Sequence, residues 1–219
     1  MIVTIDGPAG SGKSTAARRL AERLGFRFLD TGAMYRAVAL ACVRAGVDPE
    51  DRPAAVQVAR RVRLTLQEGH ILLDGQDVSE AIRTAEASVA ASRVAVIAGV
   101  RDAMVELQRQ TADGLDIVTE GRDQGTIVFP QAECKFFLTA APDERARRRQ
   151  RELERKGTTH SFDEILAQIL DRDQRDASRD VAPLRAAEDA IHLDTSMLDP
   201  DEVVAVMEST VRARQSTSA

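Results

Sequence analysis

The stretch Ile2-Val-Thr-Ile-Asp-Gly7-Pro-Ala-Gly-Ser-Gly12-Lys13-Ser14 decides the fold of this 219-residue chain. Its first four residues favour a strand, its glycines favour a turn, and the apolar spacing from Ser14 to Leu24 favours a helix that stops at Gly25. The turn fits the pattern G-X4-G-K-[ST]. In that pattern glycines aim consecutive backbone N–H groups at one anion, and the helix N-terminus adds partial positive charge. We therefore predict a phosphate-binding loop.

Within this loop we expect Lys13 to reach the β- and γ-phosphates of a nucleotide and the Ser14 hydroxyl to complete a Mg²⁺ shell. The predicted triphosphate-binding residues are Gly7, Pro8, Ala9, Gly10, Ser11, Gly12, Lys13, Ser14 and Thr15. Two residues are candidates for the carboxylate that such loops place near the metal. They are Glu120, after Leu115-Asp-Ile-Val-Thr, and Asp194, after Ile191-His-Leu, and the sequence leaves the choice open.

The apolar pattern along the chain switches between a period of two and one near 3.6, which is typical of an α/β fold with a parallel sheet. The predicted strands are 2–5, 26–29, 115–119, 135–139 and 190–193. The predicted helices are 14–24, 33–45, 53–62, 85–97, 100–111 and 142–156, with another after the capping box Ser161-Phe-Asp-Glu164. Turns at Glu68-Gly69 and Asp74-Gly75 predict a small inserted antiparallel sheet over residues 63–82.

Composition narrows the class of protein further. Only three of the 30 cationic residues are lysines, the net charge is −5, and asparagine is absent. An acidic chain argues against nucleic-acid binding by bulk electrostatics, so local arginine clusters are expected to meet anionic ligands. No apolar run approaches the roughly 20 residues of a membrane-spanning helix, and there is no signal-peptide pattern. We expect a soluble, cytoplasmic protein with Cys42 and Cys134 reduced and buried.

A second candidate site begins where the second predicted strand ends, at Leu29-Asp-Thr-Gly-Ala-Met-Tyr-Arg36. Open α/β sheets bind ligands beyond such strand ends. Thr31 has two interpretations, a ligand-contacting hydroxyl or the N-cap of the following helix. Arg36 is either a solvated side chain or a guanidinium placed beside a helix start, where it suits a phosphate.

Four motifs occur in order along nearly the whole chain. They are Gly7 to Thr15, Leu29 to Arg36, Glu120-Gly-Arg-Asp-Gln-Gly-Thr126 with Val128-Phe-Pro130, and Arg172-Asp-Gln-Arg-Asp176 with Arg179 and Ala182-Pro-Leu184. Together they resemble the bacterial cytidylate kinases. The resemblance implies one domain with a three-layer α/β parallel-sheet P-loop kinase fold, an inserted antiparallel sheet and a short helical lid. It assigns the core to about 1–35, 113–141 and 181–214, the monophosphate-binding region to about 36–112, and the lid to about 142–180.

The resemblance also implies which residues bind CMP: Thr31, Arg36, Ser92, Arg101, Arg122, Asp123, Arg172, Asp176 and Arg179. Asp123, with Ser92 and Arg101, would read the cytosine, since a carboxylate accepts from the cytosine amino group and would face a carbonyl of uracil. The spacing of Arg172 and Asp176 is also that of an ordinary i,i+4 ion pair, whereas the family assigns them to the ribose. Two positions depart from the family pattern, Gln124 in place of an aliphatic residue and Ser178 in place of Asn.

The arginine-rich stretch 145–155 has no aromatic residues and is balanced by acids, which argues against a nucleic-acid surface. Nucleoside monophosphate kinases close lid arginines on the triphosphate, and by this analogy we predict Arg145, Arg149 and Arg175 as catalytic residues beside Lys13. The implied reaction is direct in-line transfer of the γ-phosphoryl group of MgATP to CMP, and also to dCMP. A monomer that binds neither nucleic acid nor membrane is expected.

Two other functions are compatible with the residues alone. One is another P-loop small-molecule kinase with UMP, AMP or shikimate as the acceptor. The other is a nucleotide-dependent switch with slow hydrolysis, although a chain without asparagine cannot hold the Asn-Lys-X-Asp motif of small GTPases.

Overall fold

The computed structural model describes residues 1–67, 69–155, 157–178 and 182–218. The chain divides into two compact units: unit 1 comprises Met1–Phe28 with Leu115–Ala219, and unit 2 comprises Leu29–Gly114. The predicted monophosphate-binding region, 36–112, falls within unit 2. The predicted lid, 142–180, falls within unit 1.

The strands are β1 Ile2–Asp6, β2 Arg27–Asp30, β3 Leu64–Gln67, β4 His70–Leu73, β5 Gln76–Asp77, β6 Ile117–Gly121, β7 Cys134–Thr139 and β8 Ile191–Asp194. The helices are α1 Lys13–Leu24, α2 Thr31–Arg44, α3 Arg52–Arg61, α4 Ala85–Val94, α5 Ala98–Ala112, α6 Pro142–Arg155, α7 Phe162–Ala177 and α8 Pro200–Ser218. Single turns of 3₁₀ and π helix occur at Ala81–Arg83 and Gln124–Val128.

The main sheet has the strand order β2-β6-β1-β7-β8. Strand β1 pairs in parallel with β6 and β7, and β7 pairs in parallel with β8. Because β1 is central, its last residue, Asp6, lies opposite Gly121 of β6 and Phe137 of β7. The sheet therefore delivers the loop after β1 and the turn after β6 to the same edge.

The core of unit 1 lies between β1, β6 and β7 and the helices α1 and α8. Its buried members include Val3, Ile5, Ala16, Ala17, Leu20, Val118, Phe136, Leu138, Val204 and Met207. The alanines of α1 recur on one face, and their small side chains let the helix pack closely on the sheet. Burial of each large apolar side chain contributes roughly 1.5–3 kcal/mol, so this core fixes the position of α1 and of the loop before it.

Unit 2 is built around α2, whose buried residues include Met34, Ala37 and Val38. The predicted inserted sheet is confirmed as three antiparallel strands in the order β3-β4-β5. The helix break between α4 and α5 differs from the prediction, since it falls at residues 95–97 and not at Gly99. Gly99 lies inside α5, where a Cβ would approach Val56 Cγ2 to 2.8 Å, so this glycine serves close packing.

The polar hairpin of unit 1 consists of α6 and α7, joined through a small apolar cluster of Ala146, Ile165 and Ile169. The predicted capping box is confirmed: Ser161 Oγ accepts from the Glu164 N–H, and Glu164 Oε2 accepts from the Ser161 N–H. Both cysteines are free and buried, as predicted. Within the part of the chain that the structure describes, no helix combines the length and apolar character needed to cross a bilayer.

Candidate active site

The phosphate-binding loop lies between β1 and α1 in unit 1. Gly7, Gly10 and Gly12 have φ angles of 146°, 77° and 89°, which residues with a Cβ rarely adopt. A Cβ on Gly7 would also lie 2.0 Å from the carbonyl oxygen of Leu138. Because the N-cap of α1 is Gly12, which has no side chain to bond the first turn, the positive end of the helix can receive an anion.

Lys13 is the first residue of α1, and only 4% of it is exposed. Its Nζ donates to the Pro8 carbonyl at 2.6 Å and approaches Ser11 Oγ at 3.5 Å. Burial lowers the pKa of Lys13 to about 7, and the charge of Arg122 acts in the same direction. A phosphate anion at this nitrogen would favour the charged form again.

Ser14 donates from Oγ to Glu120 Oε1 at 3.0 Å. Glu120 lies near the end of β6 and is 8% exposed, so the structure places this carboxylate beside the loop. The other candidate, Asp194, instead accepts from the N–H and the hydroxyl of Ser196 at 2.9 and 2.6 Å. The contact with Ser14 therefore favours Glu120 as the carboxylate nearest the metal position.

A carboxylate from the central strand holds the turn after β6. Asp6 accepts from the backbone N–H groups of Gln124 and Gly125 at 2.9 and 2.8 Å. Burial raises the pKa of Asp6 to about 6, although both hydrogen bonds favour its charged form. Sequence reasoning missed Asp6, whose signal is a charged residue that ends an otherwise uncharged strand and directly precedes the loop.

The predicted base-reading residue, Asp123, opens this turn and is 5% exposed. Its backbone carbonyl accepts from the N–H groups of Ile127 and Val128, which gives the turn its π-helical form. Such turns are frequent at functional sites. The neighbouring Gln124 is 2% exposed. Its side-chain oxygen accepts from Thr119 Oγ1 at 2.9 Å, so this buried position, where the family pattern has an aliphatic residue, here holds a hydrogen-bonded amide.

Arg122 and Asp176 form a contact that joins the turn after β6 to α7. Arg122 Nε donates to Asp176 Oδ2 at 2.9 Å, and the Asp176 side chain is 2% exposed. The structure thus gives Asp176 a partner in Arg122 that sequence spacing did not reveal. The predicted CMP contact Arg172 lies one turn earlier on α7, and its charge lowers the pKa of Lys13. Arg179 lies outside the described residues.

The three predicted lid arginines have different surroundings. Arg149 pairs with Glu152 at 2.8 Å and Arg175 with Asp171 at 2.6 Å, and about half or more of each arginine side chain is exposed. Arg145 is 3% exposed and donates to the carbonyls of Ala140 and Ala9 and to both carboxylate oxygens of Asp173. Its placement differs from that of a solvent-facing lid arginine.

The residues predicted at the second motif lie in unit 2. Helix α2 begins at Thr31, but its N-cap is Asp30, whose Oδ1 accepts from the Ala33 N–H at 2.8 Å. The interpretation of Thr31 as the N-cap was therefore wrong, and its buried hydroxyl belongs to the first turn of the helix. Arg36 lies 3.6 Å from Asp30 Oδ1, and its guanidinium covers Gly32, where a Cβ would come within 3.0 Å of it.

The two other base-reading predictions also lie in unit 2. Ser92 is on α4, and its hydroxyl donates to the Ser88 carbonyl at 3.1 Å. Arg101, on the first turn of α5, is 5% exposed, donates to the Ala95 carbonyl and lies 6.0 Å from the Tyr35 ring centre. Since Tyr35 precedes Arg36 on α2, the structure brings Arg101 to the helix that carries Thr31 and Arg36.

In unit 1 the structure thus gathers the loop, Glu120, and the turn that holds Arg122 and Asp123. A parallel sheet whose central strand leads into G-X4-G-K-[ST], with a buried lysine and a Ser–Glu pair after it, defines a P-loop nucleotide-binding protein. The family model described as cytidylate kinase matches residues 3–213. The chain belongs to the cytidylate kinase family, and it is an ATP-dependent nucleoside monophosphate kinase that phosphorylates CMP.

Two curated relatives agree with this assignment, and a solved structure agrees with the fold. The chain is 52% identical over 203 residues to the cytidylate kinase of Rhodopirellula baltica, covering 93% of this chain and 89% of that protein. It is 50% identical over 216 residues to the cytidylate kinase of Solibacter usitatus, covering 98% and 93%. A crystal structure of an uncharacterized protein from Eubacterium ventriosum is similar with a TM-score of 0.51 at 12% identity, covering 99% of each chain, which concerns the fold alone.

Proposed function

We propose that the chain carries out this kinase reaction with the residues described above and that it accepts dCMP as well as CMP. The observation that carries the residue assignment is the cluster at the edge of the main sheet, where Lys13, Ser14 and Glu120 meet. Lys13 would neutralise the β- and γ-phosphates of ATP. The backbone N–H groups of residues 7–15 would hold the remaining phosphate oxygens.

Positioning and charge stabilisation are the main contributions of the protein in this mechanism. An oxygen of the CMP phosphate is already a competent nucleophile, so no strong general base and no covalent intermediate are required. Arg122 would bind the acceptor phosphate, and Thr31, Arg36 and Arg179 are further predicted CMP contacts. Arg172 and Asp176 would hold the ribose.

The donor set at the loop fits Mg²⁺. The hydroxyl of Ser14 and the carboxylate of Glu120 are 3.0 Å apart, and both are hard oxygen ligands of the kind this ion prefers. Among the described residues no group of three His, Cys, Asp or Glu side chains forms a closed metal cage. Such a pair of ligands suits an ion that keeps several of its water ligands and is also bound by phosphate oxygens of the substrate. When bound, Mg²⁺ would neutralise negative charge on the phosphates of ATP.

Base selection would rest on Asp123, with Ser92 and Arg101. The carboxylate of Asp123 can accept from the cytosine amino group, whereas the carbonyl of uracil would face it without a proton between them. Leaving two such oxygens opposed costs about 1–3 kcal/mol.

Arg149 and Arg175 are proposed to supply mobile positive charge to the transferred phosphoryl group. Each is held by a local ion pair on an exposed helix face, and such pairs contribute about 1 kcal/mol or less. Releasing either guanidinium toward a phosphate therefore costs little. Arg145 already donates four hydrogen bonds within the protein, so it is not free to move to the phosphoryl group in the same way.

A coupled ADP-release assay with ATP and a panel of acceptors tests the proposed function. We expect CMP and dCMP to be phosphorylated efficiently and UMP, AMP and shikimate poorly. Turnover that favours another acceptor would overturn the base assignment. ATP hydrolysis that does not depend on any acceptor would support a nucleotide switch instead. The expectations of a monomer and of a cytoplasmic location remain predictions, which gel filtration and cell fractionation would test.

A further inference from the structure

Arg145 is a buried charge in an otherwise exposed, arginine-rich hairpin. Its guanidinium donates through Nε to Ala140 O at 2.9 Å and through NH1 to Ala9 O at 3.1 Å. It also forms a two-pronged bond with Asp173, at 2.9 Å to Oδ1 and 2.6 Å to Oδ2. These four hydrogen bonds use four of the five N–H donors of the side chain. Little capacity is left for a phosphate.

The partners of Arg145 belong to three different parts of unit 1. Ala9 is inside the phosphate-binding loop, Ala140 follows β7, and Asp173 is on α7. The stem of Arg145 also packs on the loop, because a Cβ placed on Gly10 would come within 3.2 Å of Arg145 Cβ. The arginine therefore ties α7 to the loop that is predicted to hold ATP.

Helix α7 continues from Asp173 to a residue with a role at the acceptor side. Asp176, three positions later on the same helix, accepts from Arg122, and Arg122 precedes the base-reading Asp123. Hydrogen bonds thus link Ala9 to Arg145 and Arg145 to Asp173, and α7 itself links Asp173 to Asp176, which binds Arg122. Parallel bonds of the Arg–carboxylate type fix direction as well as distance.

We propose that Arg145 and Asp173 act together as positioning residues that set the register of α7 against the phosphate-binding loop. In this role they align the acceptor-binding pair Arg122–Asp176 with the γ-phosphate of ATP and do not touch either substrate. In-line transfer is sensitive to misalignment of about 1 Å, which lowers the rate of the bound complex more than it weakens binding. The inference rests on the proposed function, since it concerns the same reaction.

The test uses the full chain with Asp173→Asn, Arg145→Lys and the double variant, because complete truncation of a buried ion pair endangers folding. The matched control is Asp201→Asn, which removes another carboxylate that joins two helices through arginine, here Arg19 and Arg23, but on an exposed surface. For each variant, kcat and both KM values for ATP and CMP are measured, together with the melting temperature.

We expect each single variant to lower kcat about 10- to 100-fold with both KM values changed less than about threefold. The double variant should be no slower than the slower single variant, because the two residues act as a unit. The control should keep the wild-type kcat.

Three results would overturn the proposal. If the variants lose thermal stability but keep the kcat of the wild type, the pair is structural only. If Arg145→Lys lowers kcat as strongly in the Asp173→Asn background as alone, Arg145 acts on the phosphates directly. If KM for CMP rises while kcat is unchanged, the pair serves binding. Failure of the proposed function is distinguishable, since wild-type protein would then lack CMP kinase activity altogether.

Discussion

Two regions of unit 1 carry many charges but bury them very differently. The strand-end cluster, defined as Asp6, Lys13, Glu120 and Asp123, has no member more than 8% exposed. The polar hairpin, α6 and α7, which is the predicted lid, holds Arg147, Arg149, Arg151 and Arg175 with exposed side chains in local pairs. In the cluster, burial raises the pKa of Asp6 and lowers the pKa of Lys13, and each shift favours the neutral form of the group. Burial in the folded protein therefore disfavours the charged forms of both side chains.

The difference indicates what each region is for. Buried charges cost free energy in the fold, so a cluster of them at a loop that fits phosphate is expected at a catalytic site. Exposed pairs three or four residues apart on a helix contribute only a few tenths of a kcal/mol and are easily exchanged for other partners. The cluster suits fixed electrostatics, and the hairpin suits charges that move.

The substitution Lys13→Ala should have the largest effect and tests whether the cluster carries the chemistry. We expect a folded protein whose kcat/KM falls about 1,000-fold or more, because the loop loses the one side-chain cation aimed at the transferred phosphate. Steady-state ADP release with CMP measures the effect, and circular dichroism verifies the fold. The control is Asp201→Asn, which should behave as wild type. An alanine variant that kept most of its activity would remove Lys13 from the site.

A second experiment uses pH to test the burial of Asp6. The pKa of Asp6 rises from 3.8 to about 6 on folding, so the fold binds a proton here more tightly than the unfolded chain does. Stability from this group is present at low pH and is lost as pH rises through about 6. Between about pH 4.5 and pH 7.5, the free energy of unfolding of the wild type should fall by about 2 kcal/mol relative to Asp6→Asn.

Urea unfolding of both proteins across this pH range gives the difference directly, and subtraction cancels the other carboxylates. The Asp6→Asn variant also loses one of the two oxygens that accept from the turn after β6, so its stability at a single pH is not informative. The quantity to compare is the change in the free energy of unfolding with pH. A difference that stays flat or rises with pH would show that Asp6 is not desolvated. Of the two shifted pKa values that support the contrast between the cluster and the hairpin, the one at Lys13 would then remain.

Much of the main sheet and of the phosphate site could be predicted from the sequence because both depend on local patterns. The strand before Gly7, the helix after Ser14 and the capping box at Ser161 are each encoded within a few residues, and the structure confirms them. Contacts between segments that are distant in the sequence could not be predicted from such local patterns. The Arg122–Asp176 bond joins residues 54 positions apart, and the Asp6 bond to Gly125 spans 119.

Two local interpretations were also wrong. Thr31 is a suitable N-cap by residue type, but the helix begins one residue earlier than a Thr31 cap requires, and Asp30, which is at least as favourable a cap, accepts from the Ala33 N–H. Gly99 was interpreted as a helix breaker, whereas its missing side chain makes room for Val56. Packing outweighed local preference at Gly99, whereas at the start of α2 two neighbouring residues both suited the cap.

Base selectivity tests a third member of the cluster, Asp123. Asp123→Ala should reduce the ratio of kcat/KM for CMP over UMP by about 10- to 100-fold, which corresponds to about 1.4–2.7 kcal/mol, while KM for ATP changes little. Asp123→Asn sharpens the result, because an amide can donate to the uracil carbonyl and should raise UMP use above that of the alanine variant. Unchanged selectivity in side-by-side kinetics would contradict the assignment of Asp123.

The smallest effects are expected in the hairpin. Arg149→Ala and Arg175→Ala should each lower kcat about tenfold, or about 1.4 kcal/mol, without loss of stability, since each removes one of several cations that can approach the phosphoryl group. The matched control is Arg151→Ala, which removes an equally exposed arginine of α6 paired with Glu144. Because exposed charges are screened by salt and buried ones are not, the loss in both variants should shrink at high ionic strength. A loss that is as large for Arg151→Ala, or that is insensitive to salt, would mean that the hairpin does not supply mobile charge and differs from the cluster only in exposure.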